Sequence, residues 1–481
     1  MSLPTLFLFF HYLIEWGGLA CSAKDVTMNP LLGVTYHWLG GLAAGTFYAP
    51  FRFVKFWNWE VFWLAGCVFK LVVAPWIAAL LLTNNLFVVL YESAIQHPEA
   101  FMWTFLFGMM WGVGTLTFGL TMRYLGLSLG MAVVMGFCVV FGALMPPIFK
   151  GEFVSVVLGT TSGIVILLGL CTCIIGIAIA ALAGLSKERE MSDVAKKVSI
   201  KEFAFGKGLL VAMFSGITSA GFAYGLAAAA PIADVSMSHG TDKLWSELPR
   251  LCVILTGGLV TNVLACGFLF WKNRSNYQYL ATHTKVEMDG AQAGTRVPMF
   301  RNYILCAIAG TTWYFQFFFY SMGETYMGIY QFASWPLHMA SIMIFSSLAG
   351  LVLLEWKGSS TYTKTVLAAA LTTLIFSTIV MGYGTHIGKA TTENEMRQLS
   401  AQVTLLVASV DGKPIVEATI VRTERILELA REVGLSETKA FESVQQILAD
   451  LEKIDPRTVE HETLIHLDIE LRRLTGIDAL Q

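Results

Sequence analysis

The sequence predicts an all-α polytopic membrane protein with ten transmembrane helices in two inverted five-helix repeats, followed by a small helical C-terminal module. Three observations lead to this fold class. Of the 481 residues, 55% are hydrophobic and only 14% are charged, and the mean hydropathy of +0.62 is too apolar for a soluble protein. Long apolar runs recur along most of the chain. A motif in the first half returns in the second half.

The apolar runs have the length that a membrane span requires. A helix that crosses about 30 Å of hydrocarbon needs roughly 20 mostly apolar residues, and glycine within such helices allows close packing in lipid. Ten runs meet this requirement: 31–51, 60–82, 101–122, 126–148, 156–184, 205–230, 249–271, 301–322, 330–355 and 364–386.

The repeated motif relates the third span of one half to the third span of the other. WGVGTLTFGLTMRYLG starts at Trp111 and WYFQFFFYSMGETYMG starts at Trp313. Four landmarks share an offset of 202: Trp111 with Trp313, Phe118 with Tyr320, Tyr124 with Tyr326, and Gly126 with Gly328. An odd number of spans duplicated in tandem must insert in opposite orientations, as in many secondary transporters. We expect a first repeat at 31–186, a cytoplasmic linker at 187–204 and a second repeat at 205–389.

Residues 1–30 form an N-terminal extension outside this pattern. The segment is apolar but carries His11 and Glu15 and lacks a basic first region. It is interpreted as a weak signal segment, as an additional span, or as untranslated sequence upstream of a start at Met28, and the third interpretation is preferred.

Lysine and arginine in the short loops predict the orientation of the spans. If the segment before the first span is outside, the inner loops hold 16 of these residues. The opposite side holds Lys150, Lys243 and Arg250. With ten spans, both chain ends are then expected outside the cytoplasm.

Residues 390–481 are expected to form a separate, soluble, acidic helical module. From Thr391 onward there are 17 acidic and 10 basic residues. The hydrophobic pattern predicts helices at about 414–434, 436–454 and 456–475. Ser436 is the expected N-cap of the second helix, and Pro456 after Asp455 is expected to start the third.

No metal site or cofactor is expected from the sequence. HETLIH resembles a zinc-protease motif, but His461 and His466 are five residues apart and therefore roughly 140° apart around a helix, whereas zinc requires one face. The eight cysteines have no spacing typical of metal or redox sites.

Five stretches resemble the L-rhamnose-proton symporter family of the drug/metabolite transporter superfamily, over approximately Met28 to Lys389. They are TFYAPFRFVKFWNWE at 46–60, FGMMWGVGTLTFGLTMRYLGLSLG at 107–130, WYFQFFFY at 313–320, SWPLHM at 334–339 and GLVLLEWKG at 350–358. The resemblance implies a proton-driven importer of a deoxy-sugar in a bacterial cytoplasmic (inner) membrane. Many members of the superfamily have both termini inside, whereas the charge distribution of this chain predicts the opposite.

Two positions depart from the family pattern. Lys70 stands in the middle of span two, where the family has an uncharged residue, and Glu324 in SMGETYMG replaces a different polar residue. Either change could alter the substrate.

A sugar has apolar C–H faces that stack on aromatic rings and hydroxyls that need hydrogen-bond partners. The candidate sugar-binding residues combine both properties: Trp111, Thr115, Trp313, Gln316, Tyr320 and, in span seven, Asn262. Ordinary packing between helices would equally explain the aromatic residues. Gln316 is the most informative of the set, because an unpaired amide in lipid is costly.

Ionisable residues within the spans are candidates for proton coupling. His338 follows Pro336, which is expected to break span nine, and imidazole titrates near neutral pH. Glu324 and Glu60 are further candidates, although charges at the ends of spans are often simply solvated. Lys70 must pair with an acid, reach the interface or face water, and it could instead contact an anionic substrate.

Three functional hypotheses remain. The first is a proton-coupled transporter that imports L-rhamnose or a related deoxy-sugar by alternating access. The second is an importer of an anionic sugar derivative that uses Lys70, and the third is a membrane sugar sensor that signals through the C-terminal helices. The expected partners are the sugar, protons and the lipid bilayer but not nucleic acid, and the oligomeric state is left open. An enzyme is not expected, because no nucleotide loop, carboxylate pair or metal cluster has the required spacing.

Overall fold

The computed structural model describes residues 28–125, 127–190, 205–285, 292–354, 356–408, 413–432, 435, 438–451, 453 and 461–475. The chain divides into two compact units. The first comprises Leu31–Glu324 and Gln331–Gly384, and the second comprises Met1–Pro30, Thr325–Tyr330 and Thr385–Gln481. Residues 1–27 lie outside the described residues, so the interpretations of the N-terminal extension stay predictions.

The described residues form helices, and no strand occurs among them. The helices are α1 (Pro30–Thr46), α2 (Trp59–Leu82), α3 (Leu86–Gln96), α4 (Pro98–Leu125), α5 (Leu127–Phe149), α6 (Thr161–Glu190), α7 (Gly206–Ser238), α8 (Leu248–Asn273), α9 (Met299–Thr325), α10 (Ser334–Val352), α11 (Thr361–Ala408), α12 (Lys413–Glu432), α13 (Lys439–Leu451) and α14 (His461–Thr475).

Within the described part of the chain, eight helical segments are long and apolar enough to cross a membrane. They correspond to eight of the ten predicted runs, which confirms an all-helical polytopic protein. The other two runs are helical as α1 and α9 but are not among the eight. Helix α1 has 17 residues, about 25 Å at 1.5 Å per residue, and α9 carries the polar residues Asn302, Gln316 and Glu324. The count of ten spans and the inverted repeats stay predictions.

Prolines occur both inside helices and at the start of helical segments: Pro146 and Pro147 lie inside α5, near its C-terminal end. Pro336 lies in the first turn of α10, after the 3-10 turn Gly328–Ala333. A first-turn proline loses no intrahelical hydrogen bond. Span nine therefore does not break at Pro336 itself but changes from a 3-10 helix to an α-helix at Ser334, two residues earlier. In α2, Pro75 follows the π-helical turn Phe69–Val73, which contains Lys70.

Helices α4 and α8 approach each other closely through glycine. A Cβ atom placed on Gly108 would lie 2.1 Å from the carbonyl oxygen of Ile254, and one on Gly257 would lie 2.2 Å from the carbonyl oxygen of Phe105. Gly108 and Gly112 are four residues apart, the spacing at which small residues let two membrane helices meet. This contact fixes the position of Trp111 between them.

The part of the second unit from Thr385 to Gln481, called the C-terminal unit, is also helical where the structure describes it. Helix α11 continues past Lys389 to Ala408, so no helix end occurs at the expected boundary of the module. In α13, the side chains of Phe441, Val444, Leu448 and Leu451 are buried along one face, and the Thr438 hydroxyl accepts a hydrogen bond from the Phe441 N–H at 3.2 Å. Ser436, Asp455 and Pro456, the predicted cap residues, lie outside the described residues.

Candidate functional site

The first of the two compact units, Leu31–Glu324 with Gln331–Gly384, is called the spanning unit. Inside it, helices α4, α7, α9 and α10 bring six buried rings together. We call this group the aromatic cluster: Trp111, Phe222, Trp313, Phe317, Tyr320 and Trp335. Phe222 and Phe317 stack with centroids 3.8 Å apart, and Trp111 lies 5.7 Å from Trp313. The α9 members recur at helical spacing, so they share one face of that helix. The repeat landmarks Trp111 and Trp313 are therefore neighbours in space.

Two histidines lie against the aromatic cluster. His37 of α1 and His338 of α10 are both fully buried, and their ring centroids are 6.3 Å apart. The ring of Tyr320 lies 5.2 Å from that of His37 and 5.3 Å from that of His338. A Cβ atom on Gly40 would lie 3.0 Å from His338, and one on Gly323 would lie 2.9 Å from His37. Glycine at these two positions makes room for the imidazoles.

Several polar atoms at this site form no hydrogen bond with the part of the chain that the structure describes. Neither ring nitrogen of His37 or of His338 forms a hydrogen bond with a described residue. Gln316 is buried on the same face of α9 as Trp313 and Tyr320. A buried polar group without a partner costs about 1–3 kcal/mol. The imidazoles of His37 and His338 are therefore candidates for hydrogen bonds to a ligand with several hydroxyl groups.

Lys70 lies next to Trp313, at one side of the aromatic cluster. Its Nζ atom is 3.7 Å from the ring centroid of Trp63 and 4.9 Å from that of Trp313, both within the range of cation–π attraction. No described carboxylate lies within ion-pair distance of Lys70. Asn262 supports this arrangement by accepting a hydrogen bond from the Trp63 indole N–H at 2.9 Å, while its own amide donates to Gly258 at 2.8 Å.

An ionic network adjoins the cluster through Tyr320. Arg250 of α8 contacts the carboxylates of Glu247 and Glu324 and donates a hydrogen bond to the carbonyl of Leu226 at 3.1 Å. The Tyr320 hydroxyl donates to Glu324 at 3.4 Å. Burial raises the pKa of Glu247, which precedes α8, and Glu324 acts in the same direction. The assignment of Arg250 to an outer loop is wrong, because this side chain is buried within α8.

Two candidate residues, Thr115 and Glu60, form their hydrogen bonds outside the aromatic cluster. The Thr115 hydroxyl donates to the carbonyl of Gly112 at 2.8 Å, within its own helix. One carboxylate oxygen of Glu60 accepts hydrogen bonds from Asn58 at 3.2 Å, Asn273 at 3.0 Å and Ser275 at 2.5 Å. Glu60 thus connects the start of α2 to the end of α8.

Sequence reasoning missed part of the site. His37 lies in an apolar run just as His338 does, so the rule that selected His338 could have found it. Arg250 lies inside the predicted run 249–271 and could have been recognised as an intramembrane charge. Phe222 has no distinguishing signal, because its role depends on partners distant in sequence. Glu247 lies only three residues before Arg250, but Glu324, which also acts on it, is distant in sequence.

The fold and the site define a class of protein. Polar and ionisable side chains enclosed between membrane helices are typical of substrate and proton pathways in transporters. The model of the L-rhamnose-proton symport protein family matches residues 27–387. The chain therefore belongs to the L-rhamnose-proton symporter family, a family of transporters and not of enzymes, which confirms the resemblance seen in the sequence.

Individual relatives agree with the family match. The chain is 36% identical over 355 residues to the L-rhamnose-proton symporters of Klebsiella pneumoniae (strain 342) and Escherichia coli O17:K52:H18 (strain UMN026 / ExPEC), covering 73% of this chain and 97% of each relative. It is 35% identical to the L-rhamnose-proton symporter of Yersinia pestis (strain Pestoides F), covering 74% of this chain and 98% of the relative. No solved structure matches the chain.

Proposed function

We propose that this protein imports L-rhamnose together with protons across the bacterial cytoplasmic membrane by alternating access. Family membership over residues 27–387 supports the substrate and the coupling. The observation that carries the proposal is the meeting of unpaired imidazoles with a buried aromatic cluster, because a deoxy-sugar needs both hydrogen-bond partners and apolar ring faces.

The sugar is proposed to bind between Trp111, Trp313 and Tyr320, with His37 and His338 as partners of its hydroxyls. A neutral imidazole both donates and accepts a hydrogen bond, which suits a hydroxyl group. Gln316 lies on the same face of α9 and adds an amide. His338 is assigned to the sugar because both its ring nitrogens lack a described partner. The sequence alone had favoured it as the proton carrier.

Alternating access is proposed to operate through the aromatic cluster. Its rings are in contact, with Phe222 and Phe317 only 3.8 Å apart, so the helices must separate for a sugar to enter. The contact of the two repeat landmarks, Trp111 and Trp313, supports ten spans in two inverted halves that face one pathway.

Uptake of radiolabelled L-rhamnose into proteoliposomes tests the proposed function. An inwardly directed proton gradient should drive accumulation, and a protonophore should abolish it. Accumulation of a sugar acid in preference to rhamnose would favour the alternative with Lys70 as counter-charge. Binding of the sugar without any uptake would favour the sensor.

The C-terminal unit is proposed to lie outside the cytoplasm. Without Arg250, only Lys150 and Lys243 remain of the basic residues counted in the short outer loops, against 16 counted on the inner side. A C-terminal alkaline phosphatase fusion should therefore be active, and a green fluorescent protein fusion should be dark. Bright fluorescence would show that the span count or the orientation is wrong.

A further inference from the structure

We propose that Glu247 and Glu324, which share the guanidinium group of Arg250, form the site that binds the coupling proton. The proposed proton site presupposes the proposed function, because a coupling proton exists only in a symporter. Both carboxylates contact Arg250: Glu247 contacts its Nε atom and Glu324 contacts its Nη2 atom.

The charges of this network favour the binding of one proton. With both carboxylates ionised, Glu247, Arg250 and Glu324 together carry one excess negative charge. Their side chains are 15%, 6% and 10% exposed, and an uncompensated charge in such a place is costly. One bound proton makes the network neutral, and the carboxylate that stays ionised keeps its ion pair with Arg250. Both the protonated and the deprotonated forms are therefore accessible, as a cycling proton site requires.

Charged and polar groups around the network also favour the binding of one proton to its two carboxylates. The charge of Asp234 on α7 also acts on Glu247 and opposes its ionisation. Two like charges close to one another raise the affinity of the pair for a proton. Tyr320 faces Glu324 as a neutral hydrogen-bond donor. Arg250 is the cation that prevents both acids from being protonated together.

Tyr320 links the proton site to the proposed sugar site. Its hydroxyl donates to Glu324 at 3.4 Å, while its ring packs 5.3 Å from His338 and 5.9 Å from Trp335. Protonation of Glu324 removes the anion that holds this hydroxyl and leaves Tyr320 able to bond to a sugar hydroxyl. Proton binding then strengthens sugar binding, and by linkage sugar binding strengthens proton binding to the same degree.

The route of the proton follows from exposure. Glu247 is the more exposed of the two acids and lies at the N-terminal end of α8. In the proposed topology this end of α8 faces outside. The proton passes from the outer solution to a Glu247 oxygen, is shared with Glu324 across Arg250, and leaves to the inner solution after the helices rearrange. No bond other than O–H forms or breaks.

The test compares Glu324→Gln and Glu247→Gln with the control Glu92→Gln in proteoliposomes. Glutamine keeps the shape of the side chain and leaves Arg250 paired with the remaining acid, so the network resembles its protonated form. We expect both variants to lose uphill accumulation of L-rhamnose and proton influx while retaining sugar counterflow. Glu324→Asp keeps an ionisable group and should retain coupling. Glu92 pairs with His239 outside the network, and its variant should accumulate sugar as the unsubstituted protein does.

A second measurement needs no sugar. Infrared spectra of the protein in lipid, recorded across a pH titration, should contain a protonated-carboxyl band that both glutamine variants lack and Glu92→Gln retains. Persistence of that band in both variants, or proton-coupled accumulation by both, would overturn the assignment. Absence of L-rhamnose counterflow in the unsubstituted protein would instead reject the proposed function, and the infrared band would still decide whether the proton site exists.

Discussion

Replacing His338 by phenylalanine is expected to raise the L-rhamnose concentration that half-saturates counterflow by about 10- to 100-fold. This increase corresponds to the loss of hydrogen bonds that contribute about 1–3 kcal/mol to sugar binding. Phenylalanine keeps a planar ring between Gly40 and Tyr320 but removes both ring nitrogens. The packing of α10 against α1 should therefore survive, and the loss should fall on sugar affinity. His37→Phe is expected to have a similar effect, because its ring nitrogens are equally unpaired.

The control for this substitution is His386→Phe. His386 is exposed on α11, so its variant should bind sugar as the unsubstituted protein does. At saturating sugar, His338→Phe should still accumulate L-rhamnose with protons, because the proposed proton site does not include His338. The opposite pattern, normal affinity in counterflow with no uphill uptake, would show that His338 carries the proton, as its position beside Pro336 first indicated.

The spans could be predicted from the sequence because a helix in lipid needs a minimum number of consecutive apolar residues, which can be counted along the chain. About 20 apolar residues are needed for each span, and eight of the ten runs identified on that basis became helical segments long and apolar enough to cross a membrane. Helix α1 shows where the rule weakens. The apolar run 31–51 predicts one continuous span, but the helix ends at Thr46 and a separate 3-10 turn follows at Pro50–Phe53.

The candidate site was only partly predictable, because its contacts join residues distant in sequence. Trp111 and Trp313 were found together because a repeat marks both. Arg250 and Glu324 are 74 residues apart, and nothing local indicates that one compensates the charge of the other. For Lys70 the sequence predicts an acidic partner, the interface, water or an anionic substrate, but not the rings of Trp63 and Trp313. Rings that hold a cation are indistinguishable in sequence from rings that only pack.

Replacing Gly108 by alanine is expected to destabilise the spanning unit more than the same substitution at Gly112 of α4, where the added atom would lie no closer than 2.8 Å to its neighbours. The new Cβ would lie 2.1 Å from the carbonyl oxygen of Ile254 and 3.1 Å from its Cα atom. Both atoms belong to the backbone, so no side chain can rotate away and the two helices must separate. Such overpacking costs about 1–3 kcal/mol, which exceeds the gain of at most about 1 kcal/mol from the higher helix propensity of alanine.

Separation of α4 from α8 also displaces the proposed sugar site. The Trp111 ring lies so close to Gly258 that a Cβ atom there would be 2.5 Å from it. Gly108→Ala should therefore lower both the thermal stability of the purified protein and its affinity for L-rhamnose. The reciprocal variant Gly257→Ala should do the same, because its Cβ would lie 2.2 Å from the carbonyl oxygen of Phe105.

The matched control is Gly267→Ala, a glycine of α8 with nothing within 4 Å of the added atom. Its melting temperature should equal or exceed that of the unsubstituted protein, since only the helix propensity changes. Gly108→Ala should melt lower, by roughly 1–3 °C for a cost of about 1–2 kcal/mol in a unit of this size. Equal melting temperatures for Gly108→Ala and Gly267→Ala would mean that α4 and α8 do not meet at Gly108, and Trp111 would then lose the contact that positions it against Trp313.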